Sequence, residues 1–349
     1  MSTDADLVPE FLTPAWLTEV LQREVRSFET KRIGDGLVGM NLRLTLDGDP
    51  SLPATVVAKL PSPDPASRGA GVALRNYERE VKFYSQLATT LDVRAAQCHH
   101  AEWDEASGDF VLLLEDLAPC AQGNQLTGCS VDEARAAVFE MAKMHGPRWD
   151  DPTLFEYDWL TRRTGPEDTA QLQGLWSIFL PGFVATYSKY LDADQLAVVT
   201  AFNDRLAPWI EGRDGPLTVT HGDYRLDNLM FATPEGGYPV AVVDWQSPGH
   251  GTATSDLSYF LGAGPLPEVR REVERDIVEE YAQAIEGYGV SVDREWLWHH
   301  YCRDAFSGVI MSVIASQIVG ESDRSEGMFA AMATRHTRHA LDLGALDLI

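Results

Sequence analysis

The chain has 349 residues, of which 44% are hydrophobic and 23% are charged, values that are ordinary for a globular protein with one large two-lobed domain or two smaller ones. Its formal net charge of −25 argues against binding to nucleic acids or to anionic membranes, because both require a basic surface. The four cysteines are scattered without a CxxC pair and the N-terminus is acidic rather than signal-like, so we expect a cytoplasmic protein, and no obligate protein partner is evident.

The first third of the chain is predicted to be rich in strands. Thr13 has the character of a helix N-cap, with Pro14 at the first helical position. Apolar runs that alternate or are β-branched predict strands, and the Asp47-Gly48 pair predicts a turn between two of them. The expected elements are a helix at 13–21, strands at 40–46, 54–60 and 110–114, and a helix at 75–87.

Long helical patterns dominate after Pro119. The first begins with a capping box of Ser130 and Glu133 and ends at Gly146-Pro147. Further helices are expected at 175–190, 193–211, 267–287 and 294–320, interrupted by one β-like island at 217–244. The predicted plan is a small β-rich lobe at 1–114, a hinge at 115–120 and a large helical C-terminal lobe at 121–349.

The strongest chemical signal lies in the β-like island, in segments 221–228 (His-Gly-Asp-Tyr-Arg-Leu-Asp-Asn) and 242–245 (Val-Val-Asp-Trp). Phosphoryl transfer needs an oriented hydroxyl, metal ions on the phosphates and cations near the developing charge. The carboxylate of Asp223 can accept a hydrogen bond from a substrate hydroxyl. Asn228 and Asp244 offer the hard oxygen ligands that Mg²⁺ prefers. An isolated His-Gly-Asp triplet is usually an ordinary turn, but the combination favours a phosphoryl-transfer site.

This spacing resembles the catalytic loop of the protein-kinase-like superfamily, in which H-x-D is followed by four residues and an Asn. His221, Asp223 and Asn228 match that pattern, and glycine after the histidine is similar to the aminoglycoside phosphotransferase and choline kinase branch. The resemblance, over roughly residues 25–265, implies an α+β, two-lobed protein-kinase-like fold with a small β-rich N-terminal lobe and a large mainly helical C-terminal lobe. It also implies ATP and Mg²⁺ as cofactors, Asp223 as a catalytic residue, and Asn228 and Asp244 as metal ligands.

Three features qualify the resemblance. Arg225 stands where many protein kinases carry a phosphate-facing lysine, and we assign it a catalytic role. Asp244 takes the place of the aspartate of D-F-G, but Trp and Gln follow it. No A-P-E segment follows either, so the sequence disfavours a protein substrate and a phosphorylated activation loop.

A glycine motif and a lysine mark the N-terminal lobe. Gly34, Gly36 and Gly39 form a G-x-G-x-x-G, which alone is a weak signal. A strand pattern follows it where a dinucleotide-binding motif would have a helix, so we expect a kinase-type hairpin that covers phosphates. Lys59 resembles the strand lysine that contacts the α- and β-phosphates, although such a lysine can also be a strand-edge residue whose charge reaches solvent.

The partner of Lys59 is expected on the next helix. Glu80 fits best, with Glu78 left open as the alternative. The hinge contributes Glu115 and Leu117 to the predicted nucleotide site, where adenine is usually recognised by backbone groups. Asp256 resembles a helix-start aspartate that braces the catalytic loop, and a simple favourable charge at a helix N-terminus is an equal alternative.

The resemblance implies ATP-dependent phosphorylation of a hydroxyl on a small molecule. The crossing at 114–119 looks most like the ecdysteroid-kinase-like subgroup and its bacterial relatives. An aminoglycoside acceptor would suit an acidic protein, but any other hydroxylated metabolite or xenobiotic stays possible. Alternatives are a non-catalytic nucleotide-binding protein and a metal-dependent phosphoesterase built on His221, Asp223, Asp244 and His250. Acceptor specificity is expected in 150–200 and 290–335, whose aromatic residues could equally well be core.

Overall fold

A computed structural model describes residues 8–34, 38–162, 166–318 and 322–349. Within those limits the chain forms two units. The first comprises residues up to 89, 95–118 and 244–246. The second comprises 90–94, 119–243 and 247–349.

The first unit contains a five-stranded antiparallel sheet with the order β1-β2-β3-β5-β4. Its strands are β1 (Val25–Ile33), β2 (Gly39–Gly48), β3 (Thr55–Pro61), β4 (Cys98–Trp103) and β5 (Phe110–Glu115). Alternation along β2 buries Met40, Leu42 and Leu44 in one hydrophobic core with residues of β3 and β5. The strands predicted at 40–46, 54–60 and 110–114 are confirmed. The turn predicted at Asp47-Gly48 is wrong, because both residues belong to β2 and the chain turns over 49–52.

Three helices complete the first unit: α1 (Pro14–Leu21), α2 (Pro65–Ala73) and α3 (Asn76–Lys82). Thr13 caps α1 as predicted, since its hydroxyl accepts a hydrogen bond from the backbone N–H of Trp16 at 3.2 Å. The helix predicted at 75–87 is confirmed as α3 and a following π-helical turn, Phe83–Leu87. The short α2 was not predicted, because its sequence is rich in Ala and Gly and has few apolar residues to give a period.

The second unit is mainly helical, which confirms the predicted fold class. Its helices are α4 (Val131–His145), α5 (Pro166–Tyr187), α6 (Ala193–Phe202), α7 (Leu206–Glu211), α8 (Ala253–Ala263), α9 (Pro267–Glu286), α10 (Arg294–Arg303), α11 (Phe306–Ile318) and α12 (Asp323–Asp342). The capping box of Ser130 and Glu133 is present at the start of α4. None of the helices in the described part of the chain is long and apolar enough to cross a membrane.

Two helices that the sequence predicts as continuous are divided. The pattern at 193–211 separates into α6 and α7, and the pattern at 294–320 separates into α10 and α11. At the second break the carboxylate of Asp304 is buried, and its Oδ2 accepts hydrogen bonds from the hydroxyls of Thr254 and Thr252 at 2.6 and 3.2 Å. A tertiary contact therefore ends a helix that the apolar period alone would continue.

The core of the second unit is built from aromatic residues of these helices. The rings of Phe202 and Phe306 stack with their centroids 3.9 Å apart, and Trp176, Phe183 and Tyr187 are buried in the same cluster. Of the two readings of these aromatics, the structure supports packing of the helices for Trp176, Phe183 and Tyr187.

Two small sheets position the polar segments of the second unit. β7 (Leu217–Thr220) pairs with β10 (Gly249–Thr252), and β6 (Ala121–Gln122) pairs with β8 (Leu229–Thr233), which pairs with β9 (Gly236–Val242). β7 ends directly before His221, and β8 begins directly after Asn228. The segment 221–228 is therefore held between two strands.

Candidate active site

Gly222 shapes the start of loop 221–228. Its backbone has φ +78°, a conformation that glycine adopts far more easily than residues with a side chain. A Cβ atom at this position would lie 2.3 Å from the backbone oxygen of Ser247, which is too close for any side chain. The glycine between His221 and Asp223 is thus required by the local geometry.

Asp256, near the start of α8, braces the same loop. Its Oδ2 accepts a hydrogen bond from the backbone N–H of His221 at 2.7 Å, and its Oδ1 accepts one from that of Gly222 at 3.1 Å. The ring of His145 lies 3.4 Å from Oδ2. Of the two readings of Asp256, the geometry supports a brace on the loop.

His221 is a buried scaffold residue. Its Nε2 lies 3.1 Å from the carbonyl oxygen of Val243, and its Nδ1 lies 3.3 Å from the backbone N–H of Asp223. This pattern fits a neutral ring that donates from Nε2 and accepts at Nδ1. Because both nitrogens are engaged by the backbone, His221 is poorly suited to bind a metal, and this disfavours the phosphoesterase alternative.

Three donors orient the carboxylate of Asp223. Tyr259 donates its hydroxyl to Oδ1 at 2.8 Å, and Asn228 Nδ2 and Arg225 Nε donate to Oδ2 at 2.9 and 3.1 Å. The Asp223 side chain is still 21% exposed. The carboxylate is therefore fixed in one direction while part of it stays accessible to a ligand.

The side chain of Asn228 is oriented by the same loop. Its Nδ2 donates both to Asp223 Oδ2 and to the backbone oxygen of Asp223, at 2.9 and 2.8 Å. Because two acceptors fix the amino group, the amide oxygen Oδ1 must point the other way. That oxygen is the atom that the predicted metal role of Asn228 requires.

Arg225 joins the two carboxylates of the loop. Its Nη1 donates to Asp227 Oδ2 at 2.6 Å, in addition to its bond with Asp223. Burial lowers the pKa of Arg225, but Asp223, Tyr259 and Asp227 outweigh it and raise the pKa above its ordinary value. The structure places Arg225 as a fixed cation beside Asp223, and its predicted part in catalysis stays a prediction.

Lys59, Glu80 and Asp244 form a group within the first unit, called here the lysine group. The Nζ of Lys59 donates to Glu80 Oε1 at 2.7 Å and to Asp244 Oδ1 at 2.8 Å. Glu78 is engaged elsewhere, since it accepts hydrogen bonds from Arg75 at 2.7 and 2.8 Å and from the ammonium of its helix neighbour Lys82 at 2.7 Å. Glu80 is therefore the glutamate that pairs with Lys59.

The electrostatics of the lysine group favour a charged lysine. Burial lowers the pKa of Lys59, but the charges of Asp244 and Glu80 together outweigh burial and raise the pKa above its ordinary value. Burial raises the pKa of Glu80. One ammonium faces two carboxylates, of which Asp244 is the accessible one, with 38% of its side chain exposed.

Asp244 is held in an unusual backbone conformation. Its φ is +66°, in the left-handed region that residues with a side chain seldom adopt. The next residue fixes the segment, because the ring of Trp245 stacks on Phe83 with centroids 3.8 Å apart and planes 7° apart. Such strained residues cluster at functional sites, where the surrounding packing maintains them.

The glycine motif lies in the connection between β1 and β2. Gly34 has φ +68°. Gly39 begins β2, and a Cβ atom added to it would lie 3.2 Å from the backbone oxygen of Leu60. Gly36 falls outside the described residues. Because β2 follows the motif directly, the strand–glycine–strand arrangement is that of a hairpin and differs from a dinucleotide-binding turn.

The predicted hinge residues follow β5. Glu115 ends this strand, and its Oε2 accepts a hydrogen bond from the backbone N–H of Gln97 at 3.0 Å. The guanidinium of Arg43 donates to both carboxylate oxygens of Asp116, at 2.6 and 2.9 Å. Leu117 is buried. The acidic side chains therefore brace this segment, which leaves adenine recognition by its backbone as a prediction.

Tyr259 is the functional candidate that sequence reasoning missed. It lies three residues after Asp256 on α8, and this spacing places both side chains on one face of the helix. Burial and the charge of Asp223 raise the pKa of Tyr259 well above its ordinary value, so the hydroxyl stays a donor. The i, i+3 spacing from Asp256 was the signal that could have identified it.

Comparison with known families and curated proteins gives three matches. Residues 31–297 match the model described as the phosphotransferase enzyme family. Acyl-CoA dehydrogenase family member 10 of Mus musculus is 31% identical over 118 residues, which cover 32% of this chain and 11% of that protein. Acyl-CoA dehydrogenase family member 11 of Gallus gallus is 25% identical over 187 residues, which cover 47% of this chain and 24% of that protein. The chain thus spans a quarter or less of the curated relatives it matches.

Several solved structures share the fold, two of them from Ralstonia eutropha and Plasmodium vivax. A candidate aminoglycoside phosphotransferase from Ralstonia eutropha JMP134 has a TM-score of 0.58 at 17% identity, covering 94% of this chain and 97% of that one. An ethanolamine kinase from Plasmodium vivax has a TM-score of 0.55 at 11% identity, covering 91% of this chain and 85% of that one. At these identities the likeness is one of fold.

Proposed function

Because the chain belongs to the phosphotransferase enzyme family, we propose that it transfers the γ-phosphoryl group of ATP, with Mg²⁺, to a hydroxyl group of a small molecule. The observation that carries this proposal is the fixed carboxylate of Asp223. Its two oxygens accept hydrogen bonds from Tyr259, Asn228 and Arg225, and it remains partly exposed. A carboxylate oriented in this way suits the positioning of an attacking hydroxyl.

Asp223 would accept a hydrogen bond from the hydroxyl of the acceptor and so direct the oxygen towards the γ-phosphorus. The new oxygen–phosphorus bond forms as the bond between the γ-phosphorus and the β–γ bridging oxygen breaks. The proton of the hydroxyl passes to Asp223. Since phosphoryl transfer has a loose transition state, orientation contributes more here than early removal of the proton.

The nucleotide would be held by residues of the first unit. Lys59 is a buried cation kept charged by Glu80 and Asp244, as contact with α- and β-phosphate oxygens requires. A Cβ atom added to Gly39 would lie 3.7 Å from Cε of Lys59. Because glycine has no side chain, the space beside Lys59 stays open. The backbone at Glu115 and Leu117 is the proposed contact for adenine.

Asn228 and Asp244 are the proposed ligands of Mg²⁺. The fit is supported by the amide oxygen of Asn228, which is directed away from Asp223, and by the exposed carboxylate of Asp244. An amide oxygen and a carboxylate oxygen are hard donors of the type this ion prefers, with phosphates and water completing its shell. When bound, Mg²⁺ would neutralise negative charge on the phosphate oxygens.

The test is a screen of hydroxylated metabolites for ADP release with ATP and Mg²⁺, followed by identification of the phosphorylated product by mass spectrometry. We expect at least one acceptor to give ADP and phosphorylated product in equal amounts, and chelation of Mg²⁺ to stop both. Nucleotide binding without any product would favour the non-catalytic alternative. Release of inorganic phosphate in place of a phosphorylated acceptor would favour hydrolysis.

A further inference from the structure

A small polar cavity within the second unit adjoins loop 221–228. It has a volume of about 70 Å³, well below the roughly 300–1,000 Å³ of pockets that hold a whole small ligand. Its lining includes Gly222 of the loop and Tyr259, whose hydroxyl donates to Asp223. A cavity of this size, next to the proposed catalytic residue, suits one functional group of a larger acceptor.

Arg213 is the cation of this cavity. Its side chain is only 10% exposed, and its guanidinium stacks 3.9 Å from the centre of the Trp209 ring. Its Nη2 has two distant acceptors, Asp304 Oδ1 at 3.4 Å and Ser307 Oγ at 3.5 Å. Its Nε is buried and has no hydrogen-bond partner among the described residues. A buried guanidinium donor without an acceptor is costly, and here it belongs to a side chain that lines the cavity.

The other polar groups of the cavity include a histidine ring and several hydroxyl groups, which can both donate and accept hydrogen bonds. Nδ1 of His250 is buried and lacks a partner within the described ranges. Residues with hydroxyl groups also line the cavity, among them Thr161, Thr220, Ser255 and Ser307.

The carboxylates near this cavity are already satisfied. Asp256, which lines it, accepts the backbone N–H groups of His221 and Gly222. Asp304 accepts two threonine hydroxyls at Oδ2, and its Oδ1 forms a buried ion pair with Arg213 at the long distance of 3.4 Å. The cavity thus has a cation in its lining, Arg213, whose ion pair with Asp304 is long and whose Nε has no partner among the described residues, although the chain as a whole carries a net charge of −25.

We propose that this cavity is a subsite for an anionic group of the acceptor, a carboxylate or a phosphate, bound by Arg213. The inference rests on the proposed function, because it places the acceptor hydroxyl at Asp223 and a second group of the same molecule at Arg213. It makes the acceptor class a hydroxy acid or a hydroxylated phosphate ester. A polycationic aminoglycoside would place like charge against Arg213. The cavity therefore disfavours an aminoglycoside acceptor, although the overall acidity of the chain would suit one.

The experiment compares binding of three compounds to the full chain by ligand-detected NMR, without nucleotide turnover. The compounds are 4-hydroxybutyrate, 4-hydroxybutyl phosphate and 4-aminobutan-1-ol, which share a hydroxyl and a four-carbon chain. We expect one of the anions to bind at least about tenfold more tightly than the amine, and the better anion identifies the group. Arg213→Gln should weaken that anion about tenfold or more, as expected for loss of a charge-assisted hydrogen bond.

Arg275→Gln is the matched control, because Arg275 also stacks on a tryptophan, at 4.4 Å from the ring centre of Trp298, but does not line the cavity. It should leave anion binding within about twofold. If Arg213→Gln does not fold, Arg213→Lys keeps the charge and loses the Nε donor, and it should still weaken binding several-fold. Equal binding of the amine, no binding of either anion at millimolar concentration, or unchanged binding by a folded Arg213 variant would overturn the proposal.

The same compounds separate this inference from the proposed function. If the anions bind through Arg213 but ATP gives no phosphorylated product with any acceptor, the subsite stands and phosphoryl transfer fails. If product forms only from neutral or cationic acceptors, phosphoryl transfer stands and the anionic subsite fails.

Discussion

Tyr259→Phe removes a single hydroxyl from the environment of Asp223. In the native protein this hydroxyl donates to Asp223 Oδ1 at 2.8 Å, and the Tyr259 side chain is buried. The ring should stay in place, because it stacks on His336 with centroids 5.2 Å apart and planes 7° apart. The substitution therefore tests orientation of the carboxylate with little change in packing.

The expected effect can be sized from the hydrogen bonds that remain. A hydrogen bond to a charged group contributes about 1.5–3 kcal/mol, and each 1.4 kcal/mol of transition-state stabilisation corresponds to about tenfold in rate. Arg225 and Asn228 still hold Oδ2 after the change, so the lower end of that range applies. We expect kcat to fall about tenfold and KM for ATP to change less than about twofold.

Tyr301→Phe is the control, because the hydroxyl of Tyr301 also donates to a carboxylate, Glu274 Oε2 at 3.0 Å, from a fully buried position away from loop 221–228. Both variants should lose about 1–2 kcal/mol of unfolding free energy, measured by denaturant titration. Only Tyr259→Phe should lower kcat, measured with the acceptor found by the screen. An unchanged kcat in Tyr259→Phe, or an equal loss in both variants, would refute a positioning role.

Three further results are expected. Asp244→Ala should abolish most of the Mg²⁺ dependence of ATP binding measured by calorimetry, and an unchanged dependence would place the metal elsewhere. The hydrogen bond from Arg75, with that from Lys82, holds the pKa of Glu78 at about 2 against an ordinary value of 4.5. Since Glu78 binds a proton more readily in the unfolded chain, the free energy of unfolding should fall as pH drops from about 5 to 2.5. The fall should be smaller in Glu78→Gln, and an equal fall in both proteins would contradict this. Gly222→Ala should cost about 1–3 kcal/mol of stability and most of the activity, because of its positive φ and the contact with a backbone oxygen; a variant as stable as the native protein would rule out the strain.

Local patterns explain why much of the candidate site could be predicted. The segment 221–228 is a short loop between two strands, β7 and β8. Because the loop is short, the sequence alone predicted that Asp223 and Asn228 lie close together. The choice between Glu78 and Glu80 was harder, because residues two apart on a helix point about 200° apart and only one can face the sheet. The spacing of apolar residues along the helix did not reveal that Arg75 and Lys82 would donate hydrogen bonds to Glu78.

The remaining features depend on contacts between distant parts of the chain. Tyr259 reaches Asp223 only because α8 packs beside the loop, and Arg213 acquires a role only where it meets a cavity lined from several elements. The aromatics Trp176 and Phe183 could have lined a ligand site or packed helices, and the sequence left both open. They are buried in the core, so we expect their substitution to lower the melting temperature rather than to raise the acceptor KM.

Transfer of the γ-phosphoryl group by Asp223→Asn, measured with the identified acceptor at saturating ATP and Mg²⁺, tests the central claim most directly. The amide keeps the shape of the side chain but lacks the charge that would take up the hydroxyl proton. We predict a loss of about 10²–10⁴-fold in product formation, with ATP affinity by calorimetry within a few fold of the native protein. Product formation at the native rate would contradict the assignment of Asp223 as the residue that positions the acceptor hydroxyl.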